Sequence, residues 1–258
     1  MNTFPVSISL SSYGADLVRQ RGQQSFIALL ANAGAQRIEV REELLTDENP
    51  ASFSLAIDEY ALECVYSSPM QLWDAGQTRP NPQLLATLHR AHSFGAKWLK
   101  VSLGYFTEHC DVANLAACLG QQPVQLLVEN DQTSQGGRVE PLQRFFDAVE
   151  QQDAPVRMTF DIGNWAWQDQ SASTAARLLG RHVTYLHCKG VARRPDGKLI
   201  ATPPTATDLQ MWEHLLPHML QGLTRAVEYP LQGNDLDWLT KEHVAMLAVL
   251  GQQELSHV

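Results

Sequence analysis

The feature that most constrains this chain is the alternation of short β-rich runs with stretches of helical character. Eight runs have the length and composition of strands. They span residues 6–13, 37–42, 61–68, 98–104, 124–131, 156–164, 182–191 and 224–231. Helical periodicity or helix-boundary residues mark the intervening segments 26–34, 81–95, 139–152 and 236–251. The alternation predicts parallel strands that are connected by helices.

Eight such units predict an α/β fold, a single (β/α)8 TIM barrel in which residues 1–258 form one domain. The competing layout is an open doubly wound sheet. That layout usually has a glycine-rich phosphate turn after its first strand, whereas SSYGADLV at 11–18 contains one glycine. The irregular stretch 193–208 is long enough for an active-site loop.

Composition narrows the setting in which such a barrel would work. The chain has 28 acidic residues against 19 Lys and Arg, a formal net charge of −9, so it repels nucleic-acid phosphates. It has no apolar run of membrane-spanning length and its first residues do not resemble a secretion signal, so we expect a soluble, cytoplasmic protein with no membrane partner. The four cysteines are widely spaced, which indicates free thiols.

The stretch LLVEND at 126–131 places charge directly after an apolar strand-like run. Ionised side chains are almost never fully buried unless they are paired or bind a metal, so Glu129 either lies at a strand exit or is functional. Asp161, His187 and Glu228 stand in the same way at the ends of the next three predicted strands. In a (β/α)8 barrel these ends meet at the active-site face.

Taken one at a time, each of these four residues also has a plain structural explanation. A lone Glu near a strand end is most often solvated, and a lone His on a strand is most often a hydrogen-bonded wall residue. Together, three carboxylates and one imidazole suit a single divalent ion, namely Mn, Mg, Co or Zn. Without a cation the carboxylates would repel one another, so the shared position predicts a metal site.

The motifs LLVEND, FDIGN, YLHCKG and AVEYPL together resemble the xylose isomerase-like TIM barrels, the sugar phosphate isomerase/epimerase superfamily. The segments GAQRIEVRE at 34–42 and GAKWLKVSLG at 95–104 are also similar to this family, and the resemblance covers the whole chain in element order. It implies a metal-dependent sugar or sugar-phosphate isomerase or epimerase of carbohydrate metabolism. The family's metal ligands correspond to Glu129, Asp161, His187 and Glu228, and its acid/base pair to the two glutamates.

The same resemblance implies that Arg193 and Lys189 bind substrate. At Asn164 the chain departs from the family, which commonly has a histidine three residues after the strand-six aspartate. Asparagine can still donate a hydrogen bond to a substrate hydroxyl, but it does not take up a proton at neutral pH. Manganese is one of the metals that such a site would accept.

The chemistry implied is proton abstraction next to a carbonyl through an enediolate, which the cation stabilises as a Lewis acid. Returning the proton to the same carbon gives epimerisation, and returning it to the neighbouring carbon gives isomerisation. Two further contacts follow from position on the strands. Trp165 could stack on a sugar or belong to the core, and Glu39 could support a ligand, contact substrate, or form a rim ion pair with Arg37 or Arg41.

Other functions stay open on the same fold. They are a metal-dependent dehydratase, a keto-acid isomerase and a non-catalytic sugar-binding barrel, because fold alone does not fix function. An apurinic endonuclease-like zinc nuclease is the least favoured, since the net charge opposes nucleic-acid binding. The expected partner is a small-molecule carbohydrate, and homo-oligomerisation is left open.

Overall fold

Eight parallel strands close into a barrel in the computed structural model, which describes residues 3–231 and 233–252. Around the barrel the strand order is β1-β10-β7-β6-β5-β4-β3-β2. The strands are β1 (Val6–Ser9), β2 (Arg37–Arg41), β3 (Glu63–Trp73), β4 (Trp98–Gly104), β5 (Gln125–Glu129), β6 (Val156–Asp161), β7 (Val183–Cys188) and β10 (Thr224–Val227). The closed sheet confirms the predicted (β/α)8 fold, and each predicted strand run overlaps one of these strands, although β3 continues past its predicted run to Trp73. That residues 1–258 form one domain stays a prediction.

Helices surround the sheet between successive strands. They are α1 (Ala15–Arg21), α2 (Ile27–Asn32), α3 (Pro50–Glu59), α4 (Leu84–Ser93), α5 (Val112–Leu119), α6 (Val139–Gln151), α7 (Ala172–Leu179), α8 (Ala206–Glu213) and α9 (Leu236–Ala248). Side chains cap several of them: Asp111 accepts a hydrogen bond from the Asn114 amide, and Thr205 forms a reciprocal capping box with Asp208. Within the described residues, no helix is long and apolar enough to cross a membrane.

The main core lies between the sheet and the helices. Helix α6 shows why: Leu142, Phe145, Phe146 and Val149 recur at intervals of three and four, which places all of them on one buried face. A separate, smaller cluster of buried Val65, Leu127, Tyr185 and Ala226 fills the inside of the barrel. This inner layer forms a floor beneath the strand ends.

The stretch 193–208, expected to be irregular, contains the turn and the second strand of an ordered hairpin whose first strand begins at Gly190, within the predicted strand run 182–191. Strands β8 (Gly190–Arg193) and β9 (Leu199–Thr202) pair antiparallel, and α8 follows them. Gly197 has a φ of +85°, which glycine adopts without steric cost, and Pro195 and Asp196 precede it. Pro-Asp-Gly is a turn sequence, so a signal for the hairpin was present.

Helix α4 also begins later than its sequence indicates. Asn81 followed by Pro82 predicts that the helix starts at these residues, yet α4 starts at Leu84. The Asn81 side chain instead accepts a hydrogen bond from the Gln83 amide and donates to Asp74, so it closes a turn ahead of the helix.

Candidate metal centre at the barrel mouth

The four predicted ligands meet at the carboxyl ends of consecutive barrel strands. Glu129 and Asp161 are the last residues of β5 and β6, His187 is the penultimate residue of β7, and Glu228 follows β10 directly. One potential ligand atom from each lies within 4.8 Å of the others. Asp161 and His187 are also paired across the β6–β7 ladder, so the sheet register itself sets part of this cluster.

The buried carboxylate of Glu39 orients the imidazole of His187. Its Nε2 lies 2.7 Å from Oε2 of Glu39, which also accepts a hydrogen bond of 2.9 Å from the Tyr185 hydroxyl. Its Nδ1 lies 2.8 Å from Oε1 of Glu129 and 2.9 Å from Oε2 of Glu228. With a proton on Nε2 donated to Glu39, the ring presents the Nδ1 lone pair to the ligand cluster.

Lys100 places a buried ammonium group beside this cluster. It is the third residue of β4 and its side chain is 3% exposed. Its Nζ lies 2.5 Å from Oε2 of Glu129 and 3.5 Å from Oε1 of Glu39. Burying a cation is tolerated here because two carboxylates compensate its charge.

Two more cations, Lys189 and Arg41, contact Glu228. Lys189 Nζ lies 2.9 Å from Oε2 of Glu228 and 2.6 Å from Oδ2 of Asp161. Arg41 donates from Nη1 to Oε1 of Glu228 at 3.1 Å, and the same nitrogen lies 3.5 Å from Oε1 of Glu39. Each glutamate of the predicted acid/base pair therefore has at least one basic partner.

These contacts separate the protonation behaviour of the carboxylates. Burial alone would raise the pKa of Glu39, but the charges of His187 and Lys100 lower it to about 2. Burial raises the pKa of Asp161 to about 6, although Lys189 opposes the shift. Asp161 is therefore the carboxylate of this cluster that gains a proton first as the pH falls.

The two predicted acid/base glutamates are held as carboxylates. Against the effect of burial, Lys100 and His187 lower the pKa of Glu129, and His187 and Lys189 lower that of Glu228 well below its ordinary value. Conversely, the surrounding carboxylates raise the pKa of His187 well above its usual value despite burial. Both glutamates are thus ionised near neutral pH, which is the form that can accept a proton.

Two asparagines tie the loops behind the ligands together. The side chain of Asn130 accepts a hydrogen bond of 2.8 Å from the Asp161 amide and donates one of 2.9 Å to the Asp161 carbonyl. The Asn164 side chain donates to the Asn130 carbonyl at 2.8 Å and accepts from Gln132 at 3.1 Å. In this structure the Asn164 amide therefore joins the loops after β5 and β6, and its predicted contact with substrate stays a prediction.

The donor set fits a divalent cation. His187 Nδ1 and Asp161 Oδ2 are buried and make no hydrogen bond of good geometry with the described residues, although charged groups lie within 3 Å of both. Three carboxylates and one imidazole form a mixed oxygen and nitrogen set of the kind that Mn, Co or Zn accepts. Glu129, Asp161, His187 and Glu228 would hold such an ion.

The remaining predicted substrate residues lie at different distances from this cluster. Lys189 and Glu39 contact it directly. Arg193 is exposed on the β8–β9 hairpin, where it donates to the Gly197 carbonyl at 2.7 Å. Trp165 is buried and packs on Phe160 with ring centroids 5.3 Å apart. Roles of Arg193 and Trp165 in substrate binding stay predictions. Of the two arginines considered for Glu39, Arg41 contacts it, whereas Arg37 pairs with Glu63.

Sequence reasoning missed Lys100 and Tyr185. Lys100 interrupts the apolar run of WLKVSLG, the same signal that singled out Glu129. Tyr185 stands two residues before His187 and therefore faces the same side of its strand. Both signals were visible, but their partners depend on cross-strand register.

Comparison with known proteins gives a consistent picture of the fold. No family model and no curated protein matches the sequence. Among solved structures, a xylose isomerase domain containing protein from Salmonella typhimurium LT2 matches with a TM-score of 0.71 at 16% identity, covering 98% of this chain and 100% of its own. The chain has the xylose isomerase-like TIM-barrel fold.

Other similar structures have been solved for enzymes. L-ribulose 3-epimerase matches with a TM-score of 0.66 at 14% identity, with 98% of each chain covered. The probable 3-DHS dehydratase of Bacillus anthracis matches with a TM-score of 0.65 at 11% identity, covering 94% of this chain and 98% of its own. At these identities the likeness establishes the fold, and the chemistry rests on the residues at the barrel mouth.

Proposed function

We propose that this chain is a divalent metal-dependent sugar isomerase or epimerase that moves a proton at a carbon next to a carbonyl. The observation that carries the proposal is the convergence of Glu129, Asp161, His187 and Glu228, with ligand atoms within 4.8 Å, at the mouth of a xylose isomerase-like barrel. Epimerases among the similar structures support the reaction type. A bound divalent ion would supply Lewis-acid stabilisation of negative charge on the substrate oxygen.

The chain's own groups account for the proton transfer. Glu129 and Glu228 both start as carboxylates, so either can accept the proton from carbon. In isomerisation the glutamate that accepts the proton is also the acid that returns it, and Lys100 or Arg41 stabilises its carboxylate once the proton has left. Return by the same glutamate to the neighbouring carbon gives isomerisation. Epimerisation requires return from the opposite face by the other glutamate, which must first take up a proton from solvent, while the glutamate that accepted the proton from carbon releases it to solvent.

A first experiment tests the metal site directly. We expect about one divalent ion per purified wild-type chain by elemental analysis after reloading with manganese, and its loss in a Glu129→Gln/His187→Ala variant. An Arg144→Gln variant on the exposed face of α6 serves as the control and should keep the ion. A wild-type chain that binds none of manganese, cobalt, magnesium or zinc would refute the proposal.

A second experiment tests the acid/base pair. Aldoses and ketoses are incubated with the metal-loaded chain in D₂O, and deuterium at carbon is followed by NMR. General acid/base groups of this kind contribute about 10²- to 10⁴-fold each, so Glu129→Gln and Glu228→Gln should slow exchange by at least the lower factor. Metal content is measured in each variant. Undiminished exchange in both variants would contradict the assignment.

A dehydratase is the second candidate, because the Bacillus anthracis structure bears that name and dehydration also begins with proton abstraction next to a carbonyl. The product distinguishes the two: a dehydratase releases water and forms a double bond that absorbs in the ultraviolet. Manganese as the resident metal, carbohydrate as the substrate and a cytoplasmic location stay predictions of the proposal.

A further inference from the structure

A small cavity opens beside the ligand cluster at the barrel mouth. Its volume is about 210 Å³, and its walls include Ser11, Ser12, Arg41, Lys189 and Glu228. Ala201 of the β8–β9 hairpin closes one side. Two cationic side chains, two serine residues and one carboxylate thus border this space, and both cations contact the carboxylate directly.

Both cations retain hydrogen-bonding capacity toward the cavity. Arg41 uses Nε for Glu43 and Nη1 for Glu228 and Glu39, while its Nη2 has no hydrogen bond to any described residue. The Arg41 side chain is 20% exposed and is part of the cavity wall. Lys189 Nζ contacts two carboxylates, which leaves one of its three N–H donors.

The charges around the site give a second, independent indication. Four acidic side chains (Glu39, Glu129, Asp161 and Glu228) and three basic ones (Arg41, Lys100 and Lys189) form the buried part of the network, with a formal sum of −1 when His187 is neutral. Glu43 also pairs with Arg41, but its side chain is 35% exposed and solvent screens its charge, so it is left out of this sum. A divalent ion changes this sum to +1. Uncompensated charge in a largely buried site is costly, so a ligand with one negative charge completes the balance.

We propose that the substrate carries a carboxylate group next to its hydroxy-carbonyl portion, and that Arg41 and Lys189 bind this carboxylate in the cavity. The inference rests on the proposed function and specifies its substrate class as a carbohydrate acid. A neutral sugar leaves the positive charge uncompensated. A phosphate, with nearly two charges at neutral pH, overcompensates it, and the hairpin residues Arg193 and Lys198 border a different cavity.

The test compares sugar acids with neutral polyols of the same chain length. Neither class has an aldehyde or ketone carbonyl group, so neither can react and only binding is measured. Five- and six-carbon aldonates, their alditols and an alditol phosphate are titrated calorimetrically into the manganese-loaded chain, with the manganese–aldonate background measured without protein. We expect at least one aldonate to bind tenfold or more tightly than its alditol and than the alditol phosphate. Equal affinities, tighter phosphate binding, or no aldonate bound at 10 mM would overturn the inference.

Variants test whether the cavity causes the preference for aldonate over alditol. Arg41→Gln removes one positive charge and should abolish the preference for aldonate, Arg41→Lys should retain part of it, and exposed Arg144→Gln should leave it unchanged. An Arg41→Gln variant that keeps the full preference would contradict the role of Arg41. Manganese binding is measured on the same samples: a wild type that binds no metal refutes the proposed function, whereas one that binds metal without preferring acids refutes this inference alone.

Discussion

The contribution of Glu39 to stability can be tested quantitatively with Glu39→Gln in metal-free protein. Glu39 is fully buried and its pKa falls from 4.5 to about 2 on folding, because the charges of His187 and Lys100 outweigh the effect of burial. A shift of this size corresponds to about 3 kcal/mol of stabilisation of the ionised form. The substituted side chain would keep much of the shape of glutamate and lose its charge.

The sign of the pH dependence follows from the lowered pKa. A carboxyl group whose pKa falls on folding stabilises the fold fully above its unfolded value of 4.5, and this stabilisation is lost as the pH falls toward 2. Between pH 6 and pH 3 the wild type should therefore lose about 2 kcal/mol relative to the variant. The assay is urea unfolding at a series of pH values after removal of metal with a chelator.

A control variant separates this effect from general acid destabilisation. Glu59→Gln changes an exposed glutamate at the end of α3, and its free energy of unfolding should follow the wild-type curve. If the Glu39→Gln and wild-type curves were also parallel from pH 6 to pH 3, the ion pairs of Glu39 with His187 and Lys100 would not stabilise the fold. The argument for a strong buried network would then fail.

Three further predictions concern other parts of the molecule. Lys100→Met removes a buried cation that compensates two carboxylates, and we expect a loss of about 3–5 kcal/mol in urea unfolding; a loss below about 1 kcal/mol would be inconsistent with that role. Metal must displace a proton from His187 near pH 7, and below about pH 6 it must also displace one from Asp161. As the pH is lowered, the manganese affinity measured by calorimetry should therefore fall about tenfold per pH unit between pH 7 and pH 6, and more steeply below pH 6. A uniform slope would count against the raised pKa of Asp161. Phe146→Ala opens a cavity between α6 and the sheet and should cost about 3–5 kcal/mol without changing metal stoichiometry, which elemental analysis would check.

Much of the fold and of the ligand cluster could be predicted because both depend on local patterns. A strand buried on both sides is a short apolar run, and its C-terminal end can be located within a few residues from sequence alone. Since all eight ends meet on one face of the barrel, Glu129, Asp161, His187 and Glu228 could be brought together without knowing the register.

The partners of these ligands could not be predicted in the same way. Whether Lys100 reaches Glu129, or Arg41 reaches Glu228, depends on strand stagger and side-chain length across the barrel, which no local pattern encodes. The β8–β9 hairpin is a different case. Its Pro-Asp-Gly turn is a signal present in the sequence, but the surrounding segment lacks a clear strand pattern and was therefore predicted to be a loop.

The hydrogen bonds between Asn130 and the backbone of Asp161 have a consequence for how such a centre can diverge. Asn130 engages both the N–H and the C=O of Asp161, as a neighbouring strand would, and so extends the β5–β6 ladder by one rung made from a side chain. The spacing between Glu129 and Asp161, two proposed ligands on adjacent strands, is therefore adjustable by replacing a residue that is not itself a proposed ligand. A change at position 130 would then alter the geometry of the proposed metal site while Glu129, Asp161, His187 and Glu228 all stay unchanged.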